Sequence, residues 1–193
     1  MLKKERESQI IESALDMFSK KGFYCTTVAQ IAKSINISVG HFYNFFPSKN
    51  SLAKASITFV TKKLAQELSS INKTHVSSKE KIHLFVVSYL NFLDQNPQMI
   101  DYFFKVYLAN REMFSEDGDS GFKLAKVFID EIEVLINDGI KTNEFSQKDF
   151  YVSFSCITGI LGGITFLNGE DILDEGIQKY ANELSLSIVN SLR

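Results

Sequence analysis

Residues 27–49 read Thr-Val-Ala-Gln-Ile-Ala-Lys-Ser-Ile-Asn-Ile-Ser-Val-Gly-His-Phe-Tyr-Asn-Phe-Phe-Pro-Ser-Lys, and this order of side chains decides the fold. Thr27 with Gln30 three positions later is a capping-box signature, in which two side chains satisfy backbone N–H groups at a helix start. Ile31-Ala32 follows, and the small alanine lets two helices cross closely. Asn36 falls at the turn, where the backbone often needs positive φ; after glycine, asparagine tolerates that conformation best. Ser38 can cap the next helix, and Ile31, Ile35, Ile37, Phe42 and Phe45 are spaced to fill the wedge between the pair. Pro47 blocks continuation, and Ser48 caps a new start. The pattern is a helix-turn-helix over about residues 27–46.

Outward from this stretch the chain reads as helices. Ile10, Ile11, Ala14, Leu15 and Phe18 keep the 3–4 spacing of an amphipathic helix that Gly22 stops. A long fourth helix runs from Ser48 to about Ile71, directing Phe59 and Leu64 inward. Ser77 with Glu80 opens another that ends near Asn96-Pro97. One more is expected from Pro97 to about Phe114, then a loop from Ser115 to Gly121. Three further helices are expected, at 122–139, 146–167 and 171–192. No sustained period-2 run and no internal repeat interrupts this reading. The expectation is an all-α chain of about nine helices. These helices fall into two unequal parts, short ones over residues 1–50 and longer ones over 51–193.

Composition and charge narrow the class. With 45% apolar residues, 17 Phe and 7 Tyr in 193, the chain carries far more buriable surface than a disordered one. Its net charge of −2 hides an asymmetry: residues 1–54 hold eight Lys/Arg and four Asp/Glu, the remainder thirteen and nineteen. Residues 17–66 contain no acidic residue, where the chain average would place about six. A segment stripped of carboxylates approaches a polyanion without repelling it, which is the footprint of nucleic-acid binding. Cys25 and Cys156 fit neither a disulfide framework nor metal-ligand spacing. The charged N-terminus lacks an apolar signal core, so a cytoplasmic location is expected.

Phe150 to Asn168 bears no charge over nineteen residues, a length that could span a bilayer. Its internal Ser153, Ser155, Thr158, Thr165 and Asn168, its acidic flanks and its lack of Lys/Arg asymmetry argue against insertion. Thr158, Gly159, Gly162 and Gly163 form a small-residue face instead, as in a buried or subunit-contact helix.

Residues 10–52 taken together are recognisable. Ile10-Ile11, Ser13-Ala14-Leu15, Met17-Phe18 and Gly22-Phe23 lead to Thr26-Thr27-Val28 and Ile31-Ala32. These precede Ile37-Ser38, Gly40, Phe42-Tyr43, Phe45-Phe46, Ser48-Lys49 and Leu52. The run resembles the DNA-binding domain of the TetR/AcrR family of bacterial transcriptional regulators. The Asp138-Gly139…Asn143-Glu144-Phe145 connector and the final helix pair resemble the family more loosely. The resemblance implies a homodimer joined through about residues 146–192, binding double-stranded operator DNA. It further implies a repressor released when a small apolar or amphipathic ligand occupies the C-terminal domain.

Residue roles follow. With Ile37, Phe42 and Phe45 inward, Val39, Gly40, His41, Tyr43 and Asn44 face the major groove. His41 can donate to guanine N7 or O6, Asn44 can pair with adenine, and Val39 can meet a thymine methyl. Tyr43 and Lys49 match family positions that hold phosphates; Thr27, at a helix start, can do the same, and Ser38 completes the set. The absence of Arg and Lys from this helix argues against bidentate guanine readout. It keeps a second class open: a helical carrier or scaffold whose helix-turn-helix no longer serves DNA.

The effector candidates are Phe59, His83, Tyr89, Phe92, Phe103, Tyr107, Arg111 and Phe128, drawn largely from the aromatic crowding between 85 and 128, with Asn91 a further polar point. Aromatics at helical spacing are also how cores are built. No metal set, cofactor motif or catalytic nucleophile arrangement is found, so no enzyme is expected.

Overall fold

The computed structural model describes residues 2–102, 106, 108, 114, 120–173 and 176–193. Among these the chain forms ten α-helices and one 3₁₀ turn, with no strand. In chain order they are α1 (Leu2–Lys21), α2 (Val28–Ser34), α3 (Val39–Tyr43), α4 (Lys49–Asn72) and α5 (Ser78–Gln95). Then come α6 (Pro97–Tyr102), α7 (Gly121–Leu124), α8 (Lys126–Lys141), α9 (Phe150–Gly169) and α10 (Ala181–Leu192), the 3₁₀ turn Ile177–Tyr180 preceding the last. Two compact units result: Met1–Lys62 with Pro97–Lys126, and Lys63–Asn96 with Val127–Arg193.

The first unit is built on α1. Ile10, Ile11, Ala14, Leu15 and Phe18 are all buried, as their spacing requires, and Gly22 ends the helix at φ +79°. The helix begins at Leu2, well before the apolar series, because the preceding charged residues form good helix in water. Tyr102 belongs to this core rather than to an effector site. Its ring stacks on Phe18 at 5.7 Å between centroids, and its hydroxyl donates to the Ala53 carbonyl at 2.9 Å. Burial pushes its phenol far up, so it remains a neutral donor. The expected loop from Ser115 and most of the expected 97–114 helix lie outside the described residues.

In the second unit α5 buries Ile82, Phe85, Val86, Tyr89, Leu90 and Leu93 along one face. Polar side chains tie this face to the C-terminal helices. The Tyr89 hydroxyl donates to Thr165 Oγ1 on α9 at 2.7 Å, Thr165 in turn donating to Leu161. Ser185 Oγ on α10 donates to the Ala181 carbonyl and is left to accept from His83 Nδ1 at 3.2 Å. The N-terminus of α5 is capped twice: Ser77 accepts from Glu80 N–H, and the Glu144 carboxylate accepts from Ser78 and Lys79 N–H.

Glu144 is positioned by the end of α8. There Asn143 adopts φ +60°, and the N–H groups of Glu144 and Phe145 both bond the Gly139 carbonyl. A Cβ on Gly139 would lie 2.0 Å from the Phe145 ring, so only glycine admits this turn. Two expected helices are shorter than the sequence suggested. The 122–139 helix breaks at Ala125, and the final helix starts at Ala181 instead of 171 because Asp171 takes φ +55° and the chain runs extended at Gly176.

Candidate nucleic-acid interface

α2 and α3 are short, and side-chain caps start both. Thr27 Oγ1 accepts from Gln30 N–H at 3.2 Å while Gln30 Oε1 accepts from Thr27 N–H at 2.9 Å, the full capping box. Ser38 Oγ accepts from His41 N–H at 3.0 Å. Between them Asn36 stands at φ +56°, the left-handed turn that its residue type suggested. The Ile37 N–H closes the turn on the Ala32 carbonyl at 2.9 Å. The hydroxyls of Ser13 and Ser34 bond at 2.6 Å and link α1 to α2.

Ile31, Ala32 and Phe42 are buried in the wedge, while Ile35, Ile37 and Phe45 are half-buried. Phe46, for which the spacing gave no role, is the second fully packed aromatic, 6.0 Å from Phe42. The helix itself ends at Tyr43, with Asn44 as its C-cap, so Phe45 and Phe46 leave along a turn; this is why periodicity misplaced them. Burying two phenylalanines here contributes about 1.5–3 kcal/mol each, enough to hold a five-residue helix that has no stability of its own.

The face left outside is polar and small. Val39, Gly40, His41, Tyr43 and Asn44 are all exposed, as are Thr27 and Ser38. The His41 ring meets Phe45 edge-on at 5.3 Å and Tyr43 meets Phe42 at 5.5 Å, so each side chain is braced against the layer beneath it. Gly40 offers backbone with no side chain above it; a Cβ there would touch only Ser38 Oγ, at 3.9 Å.

Lys49 sits differently from a solvated lysine. Its Nζ donates to the carbonyls of Phe23 and Thr26 at 2.9 and 2.8 Å and lies 4.2 Å from the Phe23 ring centroid. Partial desolvation lowers its pKa, opposed by the nearby Cys25 sulfur. Two of its three hydrogens therefore hold the turn leading into α2.

The second unit bears an open groove of about 390 Å³ on the outer face of α5. Ile71, Leu84, Val87 and Phe92 form its apolar wall, and Glu67, Ser88, Asn91 and Gln95 its polar points. Of the effector candidates, Phe92 lines it, as does Asn91. Tyr89 and His83 are engaged with α9 and α10, and Phe128 packs 6.0 Å from Phe85. Phe59 is half-buried in the first unit. Phe103, Tyr107 and Arg111 lie outside the described residues.

Two capped short helices around a left-handed turn, presenting a carboxylate-free face, define the helix-turn-helix class of DNA-binding proteins. Residues 10–56 match the model of the bacterial regulatory proteins of the tetR family. These residues therefore carry the DNA-binding domain of that family. Over 56 residues, 29% of this chain and 19% of the relative, it is 46% identical to the uncharacterized HTH-type transcriptional regulator YuxN of Bacillus subtilis. The similarity thus spans about a fifth of that relative. Among solved structures it resembles the fatty acid degradation regulator FadR of Bacillus halodurans, with a TM-score of 0.81, 18% identity and coverage of 97% of this chain and 96% of that one. FadR of Bacillus subtilis, solved in complex with stearoyl-CoA, gives 0.78 at 15% identity, covering 96% and 99%. Such identities establish a shared fold.

Proposed function

We propose that this chain is a dimeric, cytoplasmic repressor that leaves its operator when an apolar or amphipathic small molecule binds its C-terminal part. Residues 1–50 read DNA and residues 51–193 hold the effector and dimer surfaces. The observation that carries the reading is the exposed face of α3 over a buried Phe42–Phe46 layer. Val39, His41 and Asn44 address base edges and Gly40 admits the backbone, while Thr27, Ser38, Tyr43 and Lys49 hold phosphates.

The dimer surface follows from α9. This helix is long and apolar enough to cross a membrane by length and composition, yet only 28% of its apolar window is buried in the subunit. Its buried side, with Ser153, Ile157, Leu161, Ile164 and Thr165, packs within the second unit. Tyr151, Val152, Ser155, Gly159, Gly163, Phe166 and Leu167 form an outer stripe three to four residues apart. A second copy covering this stripe removes apolar surface from water at about 25 cal/mol per Å². Leu186, 60% exposed on α10, extends the patch, whereas Ile177 and Ile188 are used inside the subunit.

The test is selection of binding duplexes from a random pool, followed by titration of the selected site against salt. A dimer of helix-turn-helix heads should enrich inverted repeats and show a steep salt slope. A pool that enriches nothing would overturn the reading in favour of the carrier.

A further inference from the structure

Resting on the effector reading above, we infer that the groove on α4 and α5 selects a hydrophobic cation, so that the effector is a cationic amphiphile and not an acyl-CoA or a free fatty acid. The groove supplies an apolar wall, three neutral hydrogen-bonding side chains and one carboxylate, Glu67. Among the described residues no Lys, Arg or His lines it. Two of the basic groups near it in sequence are already engaged. Lys81 is buried and donates to the Asn72 carbonyl and Asp138, and His83 bonds Ser185. An anionic head placed here would meet like charge at Glu67 and no cation in the lining to offset it.

The wider field has the same sign. By composition the second unit holds eight basic and fourteen acidic residues, a balance of −6, while the first holds thirteen and nine, a balance of +4. The division suits both ligands: the unit that meets phosphates is basic, and the unit with the groove is acidic. Phe92 adds a ring face in the wall, an attractive surface for a desolvated cation. The polar amides Asn91 and Gln95 accept hydrogen bonds through their carbonyl oxygens from an ammonium or amidinium.

The experiment uses the full chain and a pair of ions alike in shape and opposite in charge, tetraphenylphosphonium and tetraphenylborate, with stearoyl-CoA as a third probe, each titrated by calorimetry. Expected is binding of the cation at least about tenfold tighter than the anion, with Glu67→Gln reducing cation affinity roughly three- to fivefold, the range of an exposed ion pair. The same variant should leave anion binding equal or slightly improved, and a circular-dichroism melt checks its fold. Equal or tighter binding of tetraphenylborate or stearoyl-CoA overturns the inference, as does failure of all three to bind. Operator release, followed by anisotropy on a selected duplex, separates the two levels. Release by stearoyl-CoA alone would sink the cation assignment and leave the repressor reading standing; failure to select any duplex would sink the repressor reading while the charge preference is still measured.

Discussion

At Lys49 a single side chain serves two purposes that one substitution separates. Its ammonium closes the turn before α2 through the carbonyls of Phe23 and Thr26, and it adds one positive charge beside the reading face. Lys49→Ala should weaken binding to every duplex and make the salt slope shallower by about one unit. It should also lower stability by about 1–2 kcal/mol, because two carbonyls lose their donor. His41→Ala and Asn44→Ala remove exposed groups, so they should cost about 1–3 kcal/mol on the selected site only and leave the melt unchanged. Binding isotherms on specific and random DNA beside a thermal melt decide the matter. If all three variants lose affinity equally on both duplexes, α3 is not the reading helix. A phosphate role for Lys49 is an expectation from the sequence; its hold on the preceding turn was not legible there, since it joins residues 23 and 26 positions apart.

Among the elements, those announced by local chemistry were readable and those decided by distant partners were not. Thr27, Asn36, Ser38 and Ser77 act through neighbours within four residues, so sequence alone placed the starts of α2, α3 and α5. Tyr102, by contrast, lies in an aromatic-rich run that suggested a ligand site, and only the fold shows it stacked on Phe18. Glu144 is another long-range participant, capping α5 from 66 positions away. Burial pushes its carboxyl up, but bonds from the Ser78 and Lys79 N–H groups, then from Thr142, and the nearby Lys79 charge outweigh that and leave the pKa below its ordinary 4.5. A depressed carboxylate stabilises the fold above the unfolded value and loses that contribution as pH falls through the folded one. Glu144→Gln should therefore melt earlier than the parent at pH 7, with the gap closing by about pH 3. A gap independent of pH would show that the charge plays no part. Gly139→Ala, driving a methyl into the Phe145 ring, should cost about 1–3 kcal/mol at any pH in the same melts.

For the whole molecule, the proposed repressor first requires a dimer, and the glycines of α9 give a clean probe. Nothing lies within 4 Å of a Cβ built on Gly159 or Gly163, so a side chain can start from either without meeting the subunit's own atoms. Gly163→Arg should convert a sedimenting dimer to a folded monomer, through steric overlap and a charge buried against the partner; a variant that still dimerises moves the interface elsewhere. Release from DNA is the second requirement. A dimer reading two half-sites holds its recognition helices about 34 Å apart or a multiple of that. A ligand can disturb this spacing only by favouring another arrangement, and a hundredfold loss of DNA affinity needs about 2.7 kcal/mol of such preference. The covalent route is α4, which begins at Lys49 and reaches the groove at Glu67 and Ile71 without a break. Coupling is reciprocal, so operator duplex must weaken ligand binding by the factor by which ligand weakens operator binding. Titrating tetraphenylphosphonium with and without the selected duplex measures that factor directly. Equal affinities in the two titrations would mean that α4 carries no signal and that the groove binds without regulating.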